Sequence, residues 1–168
     1  MSCTLEAFAT DCKAKLIAEP GPEGREKIRE MLERVLVDDE FMRTYFGTDR
    51  DSERNVLYRD PELGFCIVAH TYTEGIAASP HHHGPAWAIY GQAEGITEMT
   101  DWRLVQEPVD GKAGKVAAER TYTLNPGDAK VYNEGDIHSP QWEGLTRLLR
   151  IEGQDMTTVH RDPLEPIA

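Results

Sequence analysis

The pattern of apolar residues changes character at Arg54, and this change restricts the chain to a small number of architectures. Before Arg54, apolar residues recur at spacings of three and four, which indicates amphipathic helices. After Arg54, short runs rich in β-branched and aromatic residues are separated by glycine, proline and asparagine, as in antiparallel strands. Regularly spaced strands of this kind predict a sandwich or a jelly-roll barrel, here preceded by helices.

Two helices are predicted in the first segment. One apolar stripe predicts a helix over residues 4–18, and its members are Leu5, Phe8, Ala9, Cys12 and Leu16. A second stripe predicts a helix over residues 23–36, and its members are Ile28, Met31, Leu32, Val35 and Leu36. Pro20 and Pro22 separate the two helices, because proline cannot donate the helical hydrogen bond.

The helical region is expected to add a short turn over residues 39–45 and to end at Gly47 and the polar stretch 49–53. Seven strands are then predicted, over residues 55–58, 65–73, 86–92, 96–105, 116–124, 130–132 and 146–152. The tail after Gly153 shows no periodicity.

A length of 168 residues is enough for one domain with a hydrophobic core that needs no disulfide. We therefore expect a single domain with an N-terminal helical pair in residues 1–47, a β-barrel in residues 54–152 and a tail in residues 153–168.

The charge balance argues against several classes of partner. With 18 basic and 30 acidic side chains the formal charge is −12, so nucleic acids and anionic membranes are poor electrostatic partners.

No apolar run approaches the roughly 20 residues of a membrane helix. The first residues, Met1 to Phe8, do not have the pattern of a secretory signal, and the three cysteines are widely spaced. A cytoplasmic location is the expectation.

Four of the six histidines lie where a strand meets a turn, and three of them make a candidate metal site. Side chains alternate along a strand, so His81 and His83 should share one face while His82 points the opposite way. His138 lies in the other segment with matching strand and turn residues. Neutral imidazoles bind iron, zinc, nickel and copper, and we therefore expect His81, His83 and His138 to be the metal ligands.

Two motifs around these histidines resemble the signatures of the cupin superfamily. The first reads Gly75, five residues, His81-x-His83, four residues, Ala88, six residues and Gly95. The second reads Gly127, five residues, Asn133-x-Gly135, two residues and His138. The resemblance implies a double-stranded β-helix. Cupins usually have a glutamate ligand where this chain has Ala88, so the implied site holds three histidines and no carboxylate.

Three-histidine cupins of this kind resemble the thiol dioxygenases that oxidise cysteine or 3-mercaptopropionate. That resemblance implies Fe(II), O2 and a small carboxylated thiol that is converted to a sulfinate. It also implies that Arg54, which lies 27 residues before His81, binds the substrate carboxylate. We expect Tyr72 and Tyr90 near the metal, where a tyrosine could orient bound oxygen. The Ser-x-His-x-Tyr relay of that family is absent, because the corresponding strand reads Leu148-Leu149-Arg150-Ile151-Glu152.

Two other functions stay open at this stage. A three-histidine cupin can also cleave a β-diketone or another small chelating carbon acid, for which no relay is required. A closed metal-binding sensor module without turnover is the alternative from a different class. Zinc, nickel, manganese and copper remain alternatives to Fe(II), and a homodimer is left open because barrels of this kind often pair through edge strands or helices.

Overall fold

A computed structural model describes residues 3–46 and 52–168. It has three helices, α1 (Leu5–Ala18), α2 (Pro22–Leu36) and α3 (Asp39–Tyr45). Ten strands follow, β1 (Asn55–Arg59), β2 (Cys66–Tyr72), β3 (Ile76–Ala77), β4 (Ala88–Glu94), β5 (Thr97–Gln106), β6 (Gly114–Leu124), β7 (Ala129–Tyr132), β8 (Ile137–Trp142), β9 (Thr146–Glu152) and β10 (Leu164–Pro166).

The strands form two five-stranded sheets that face each other. The first sheet has the order β1-β2-β9-β4-β7, and the second has the order β10-β6-β5-β8-β3. Strands that follow one another in the sequence repeatedly change sheet, so the chain winds around the barrel axis as in a double-stranded β-helix. Every pairing within the first sheet is antiparallel. The predicted jelly-roll barrel of the cupin type, with an N-terminal helical pair, is confirmed.

The helices cover the outer face of the first sheet. The main apolar core lies between them, and it joins Phe8, Ile28 and Leu32 of the helices to Ile89 and Ile151 of the sheet. Removing this apolar area from water supplies the main driving force that attaches the helices to the barrel. None of the helices in the described part of the chain is long and apolar enough to cross a membrane.

Alternation along the first sheet separates the core side from the barrel interior. On β9, Leu149 and Ile151 belong to the core beneath the helices, whereas Arg150 and Glu152 project to the opposite face. On β4, Ile89 faces the helices and Tyr90 faces inward, where it joins a separate buried cluster with Tyr132. The inner face of this sheet is therefore polar and aromatic, and its outer face is apolar.

The predicted helices are confirmed, and their observed ends differ from the predicted ends by no more than one residue. The prediction succeeds because the apolar stripes seen in the sequence are the surfaces that pack on the sheet. Strands β3, β8 and β10 were missed. β3 and β10 have only two and three residues, too few to show a period, and β10 pairs in parallel with β6, from which β7, β8 and β9 separate it in the sequence. β8 contains Pro140, which reads as a turn residue in sequence. Gly47 and residues 49–51, predicted to end the helical region, lie outside the described residues.

The close contact between α2 and the first sheet depends on a glycine in β4. A Cβ atom at Gly91 would lie 2.9 Å from methyl groups of both Leu32 and Leu36, and 3.0 Å from the Leu149 carbonyl oxygen. We expect Gly91→Ala to lower the free energy of unfolding by about 1–3 kcal/mol through overpacking. Denaturant unfolding measures this effect. The matched control is Gly144→Ala, where an added Cβ meets nothing within 4 Å, and equal losses in both variants would contradict the packing described here.

Candidate metal centre

His81 and His138 are brought together by backbone pairing. They form an isolated antiparallel bridge in which each residue donates its N–H to the carbonyl of the other, at 3.0 and 2.9 Å. Residues paired in this way project their side chains to the same side of the ladder. The segment that contains His81 therefore continues the pairing of β3 with β8, and two stretches 57 residues apart place their imidazoles side by side.

His83 reaches the same place through a turn. The histidines lie where a strand meets a turn, as predicted, but the strand alternation inferred for His81 and His83 does not extend past His81, because the residues after its bridge leave the sheet. Gly84 has a φ of +59°, a conformation in which a side chain would be strained, and Ala86 N–H closes the turn on the His83 carbonyl at 3.1 Å. The turn directs the His83 ring into the interior, where it is 1% exposed.

A metal ion could be held where three or more histidine, cysteine or carboxylate side chains lie close together. In the described part of the chain, the three histidine rings form the one group of this kind. One ligand nitrogen from each ring lies within 4.8 Å of the others. The ring centroids of His138 are 4.6 Å from those of His81 and 4.8 Å from those of His83. Nitrogens bound to one ion at about 2.0–2.1 Å lie about 3 Å apart when adjacent, so metal binding would require the ring nitrogens, now up to 4.8 Å apart, to approach by as much as about 1.8 Å.

Burial keeps these imidazoles neutral. Burial, followed by the charge of Arg150, lowers the pKa of His83 to about 2. Burial also lowers the pKa of His81 to about 4, although the bond to the Ser79 carbonyl acts in the opposite direction. The pKa of His138 lies well below its usual value because of burial and then because of the two neighbouring histidines. Each ring therefore has a free lone pair at neutral pH.

The residues present fit a divalent transition metal. The Nδ1–H of His81 donates to the Ser79 carbonyl at 2.9 Å, which leaves its Nε2 as the ligand atom. The Nε2 atoms of His83 and His138 converge on one point, since both lie within 3.3 Å of the Tyr90 hydroxyl. A single phenolic proton can satisfy only one of these two nitrogens. Converging neutral nitrogens in a buried site suit iron, zinc, nickel or copper.

The two predicted tyrosines occupy different surroundings. Tyr90 contacts the candidate ligands directly, with its hydroxyl 3.0 Å from His83 Nε2, and burial raises its pKa, so it is protonated at neutral pH. Tyr72 instead stacks on His70 and packs 4.6 Å from Trp142. Among the contacts of the described residues, it has no hydrogen bond or ring contact with the three histidines. Their roles in catalysis stay predictions.

Arg54 is engaged by protein carboxylates. Its two terminal nitrogens donate to the two oxygens of Glu152, each at 2.8 Å, and one of them also contacts Asp155 at 3.0 Å. Glu152 is fully buried, so this pair neutralises a charge that would otherwise be costly in the interior. A substrate carboxylate would have to compete with Glu152 for the same donors. The expectation that Arg54 binds substrate stays a prediction.

Sequence reasoning missed Arg150 and Glu152. Both stand on β9, in the strand where the relay of the thiol dioxygenases is absent, and both face the barrel interior. Arg150 lies directly opposite Tyr90 and Glu152 directly opposite Ala88, the position where cupins usually have a glutamate. The available signal was the alternation Leu149-Arg150-Ile151-Glu152 at the end of the strand, which indicates one apolar and one polar face.

No protein-family model and no curated protein matches the sequence. Similar solved structures include a protein with a double-stranded β-helix domain from Klebsiella pneumoniae, 13% identical over 73% of this chain and 87% of its own, with a TM-score of 0.47. A cupin superfamily protein from Desulfitobacterium hafniense is 16% identical over 61% of this chain and 76% of its own, with a TM-score of 0.42. The DMSP lyase DddQ from Ruegeria pomeroyi is 17% identical over 68% of this chain and 53% of its own, with a TM-score of 0.44. At these identities the similarity concerns the fold alone.

The topology and the histidine group together define the class of this protein. Two facing five-stranded sheets wind as a cupin-type double-stranded β-helix, and three imidazoles, those of His83 and His138 buried and that of His81 half-buried, converge at the inner face of the barrel. The chain is thus a cupin-fold protein with a candidate three-histidine metal centre.

Replacement of a ligand should abolish metal binding without unfolding the barrel. We expect one divalent ion per chain in the reconstituted protein, and at least a 100-fold loss of affinity, as an order of magnitude, in His83→Gln and His138→Gln. Titration with Co(II), followed by visible absorption and metal analysis, measures this loss. His82→Gln is the matched control, because His82 lies between two candidate ligands and its Nδ1 instead accepts from Gly84 N–H. Equal binding in all variants would contradict the proposed ligand set.

The metal-free protein should lose stability as the pH falls below 6.5. Unfolded histidines take up a proton near their ordinary value of 6.5, whereas folded His81 and His83 resist protonation until about pH 4 and about pH 2. The unfolded state therefore binds more protons in this range, and each such histidine lowers the free energy of unfolding by about 1.4 kcal/mol per pH unit. Denaturant unfolding between pH 7.5 and pH 5 measures the slope, and a flat profile would mean that the rings are solvated in the folded chain.

Proposed function

We propose that this protein is a non-haem Fe(II)-dependent dioxygenase that oxidises a small carboxylated thiol to a sulfinate. The observation that carries the proposal is the convergence of three neutral imidazoles, with Ala88 where a carboxylate ligand would otherwise stand. Three neutral ligands leave the full charge of a divalent ion uncompensated. Such a centre favours an anionic substrate that supplies its own negative donor atom.

Different residues would have different roles in such a reaction. His81, His83 and His138 would hold the ion, and when bound the iron supplies the redox chemistry that brings O2 and a thiolate together. Both atoms of O2 end on the sulfur, so a thiolate and O2 give a sulfinate with no other oxidant or reductant. The buried walls of the barrel exclude water and thereby strengthen every electrostatic contact with the substrate.

Tyr90 would supply the hydroxyl donor at this centre. Its pKa is raised by burial, so it keeps its proton at neutral pH and donates rather than accepts charge. Its ring is held between Tyr132, with ring centroids 5.1 Å apart, and the Arg150 guanidinium. A hydroxyl with so little freedom can orient a reactant beside the histidines.

A second candidate is a dioxygenase that cleaves a β-diketone or a similar chelating carbon acid. The observation in its favour is β9, where Arg150 and Glu152 stand in place of the relay that thiol dioxygenases use. The same histidine centre would serve this reaction. The two candidates differ in substrate and product, so one survey of oxygen consumption separates them.

Anaerobic reconstitution with Fe(II), followed by oxygen-electrode measurements, tests the proposal. We expect O2 uptake with 3-mercaptopropionate or another short carboxylated thiol, in a ratio of one O2 per thiol, with both atoms of isotopically labelled O2 in the sulfinate. His138→Gln should reduce the rate by at least about 100-fold, whereas His82→Gln should retain it. Uptake with diketones alone would favour the second candidate. No uptake with any candidate would favour a closed binding module.

A further inference from the structure

A cluster of arginine and carboxylate side chains lies beside the candidate centre. Three guanidinium groups, those of Arg54, Arg59 and Arg150, contact two carboxylates, those of Glu152 and Asp155. Because Arg59 is half-exposed to water and Arg54 donates to both oxygens of Glu152, one largely buried cation of the cluster has no hydrogen-bonded carboxylate.

Arg150 is that cation. Its ion-pair contact in the described part of the chain is with Glu152 Oε1 at 3.6 Å, which is too long for a hydrogen bond. Its Nε is buried without a hydrogen-bond partner among the described residues. Glu152 cannot move closer without leaving Arg54, which already donates to both of its oxygens at 2.8 Å. Removing a charge from water costs free energy unless the charge is paired. An anion from outside the chain that bound this guanidinium would offset that cost.

The position of Arg150 connects this charge to the candidate metal centre. Its side chain is only 14% exposed, and its guanidinium carbon lies 4.1 Å from the centroid of the Tyr90 ring. The hydroxyl of that ring is 3.0 Å from His83 Nε2 and 3.3 Å from His138 Nε2. One aromatic ring therefore separates the Arg150 guanidinium from the candidate ligands, a distance that a small molecule with two polar ends can span.

We propose that Arg150, rather than Arg54, binds the carboxylate of the substrate while the other end of the substrate binds the metal. This inference rests on the proposed function in taking a small anionic chelator as the substrate. A guanidinium presents several N–H donors in one plane and can form two charge-assisted hydrogen bonds with a carboxylate. Arg54, with its fork engaged by Glu152, holds β9 in place and is a positioning residue.

Equilibrium binding to the Co(II)-loaded protein under anaerobic conditions tests this assignment. The probes are 3-mercaptopropionate and its uncharged amide, which share the thiol and differ in the carboxylate. We expect the wild-type protein to bind the carboxylate about 10- to 100-fold more tightly, Arg150→Gln to bind both equally, and Arg150→Lys to keep part of the preference. Arg59→Gln, at a half-exposed arginine of the same cluster, is the matched control and should keep the full preference. Cobalt content and circular dichroism establish that each variant is folded and loaded.

A wild-type measurement covers the case in which Arg150→Gln does not fold. Propionate should raise the Tm of the metal-loaded protein more than propionamide does, and Arg150→Lys should reduce that difference. The assignment would be overturned if Arg54→Gln lost the preference for the carboxylate and Arg150→Gln kept it. It would also be overturned if the wild-type protein bound the carboxylate and the amide equally.

These results separate the two proposals. O2 uptake with carboxylated thiols, together with an unchanged preference in Arg150→Gln, would overturn the role of Arg150 and leave the oxygenase standing. A preference lost in Arg150→Gln, without O2 uptake under any condition, would support the anion site and overturn the oxygenase.

Discussion

The backbone bridge between His81 and His138 is the interaction on which the candidate site depends. Two hydrogen bonds align residues that are distant in sequence, and the geometry of an antiparallel ladder then places their side chains on one face. His83 joins them because the turn at Gly84 returns the chain toward β4. The histidines therefore converge through main-chain pairing, and their position does not require a carboxylate from the same motif.

Burial determines the chemistry of this group. The same desolvation that keeps the three imidazoles neutral also keeps the Tyr90 hydroxyl protonated and makes the charge of Arg150 expensive. Neutral ligands, a protonated donor and a guanidinium without a hydrogen-bonded anion form one electrostatic environment that favours a divalent metal and a small anion. Each of these groups would be unremarkable at the surface, where water would satisfy it.

The helices contribute a rigid support on the other side of the same sheet. Their apolar stripes cover the outer faces of β9 and β4, whose inner faces display Arg150 and Tyr90. Each of these strands therefore has an apolar outer face that stabilises the barrel and an inner face that carries the polar groups. Gly91 permits the close approach of α2 that keeps these strands in position.

The sequence by itself determined the class of fold, the helical pair and the histidine set, because apolar spacing reports the face that each helix buries and the motif spacing identifies the residues. It could not determine the partners of charged side chains. Arg54 was expected to face a substrate, whereas the barrel pairs it with Glu152, and no role was predicted for Arg150 on β9. Pairing between β9 and its neighbours decides which charges meet, and that register depends on contacts across the whole sheet rather than on local pattern.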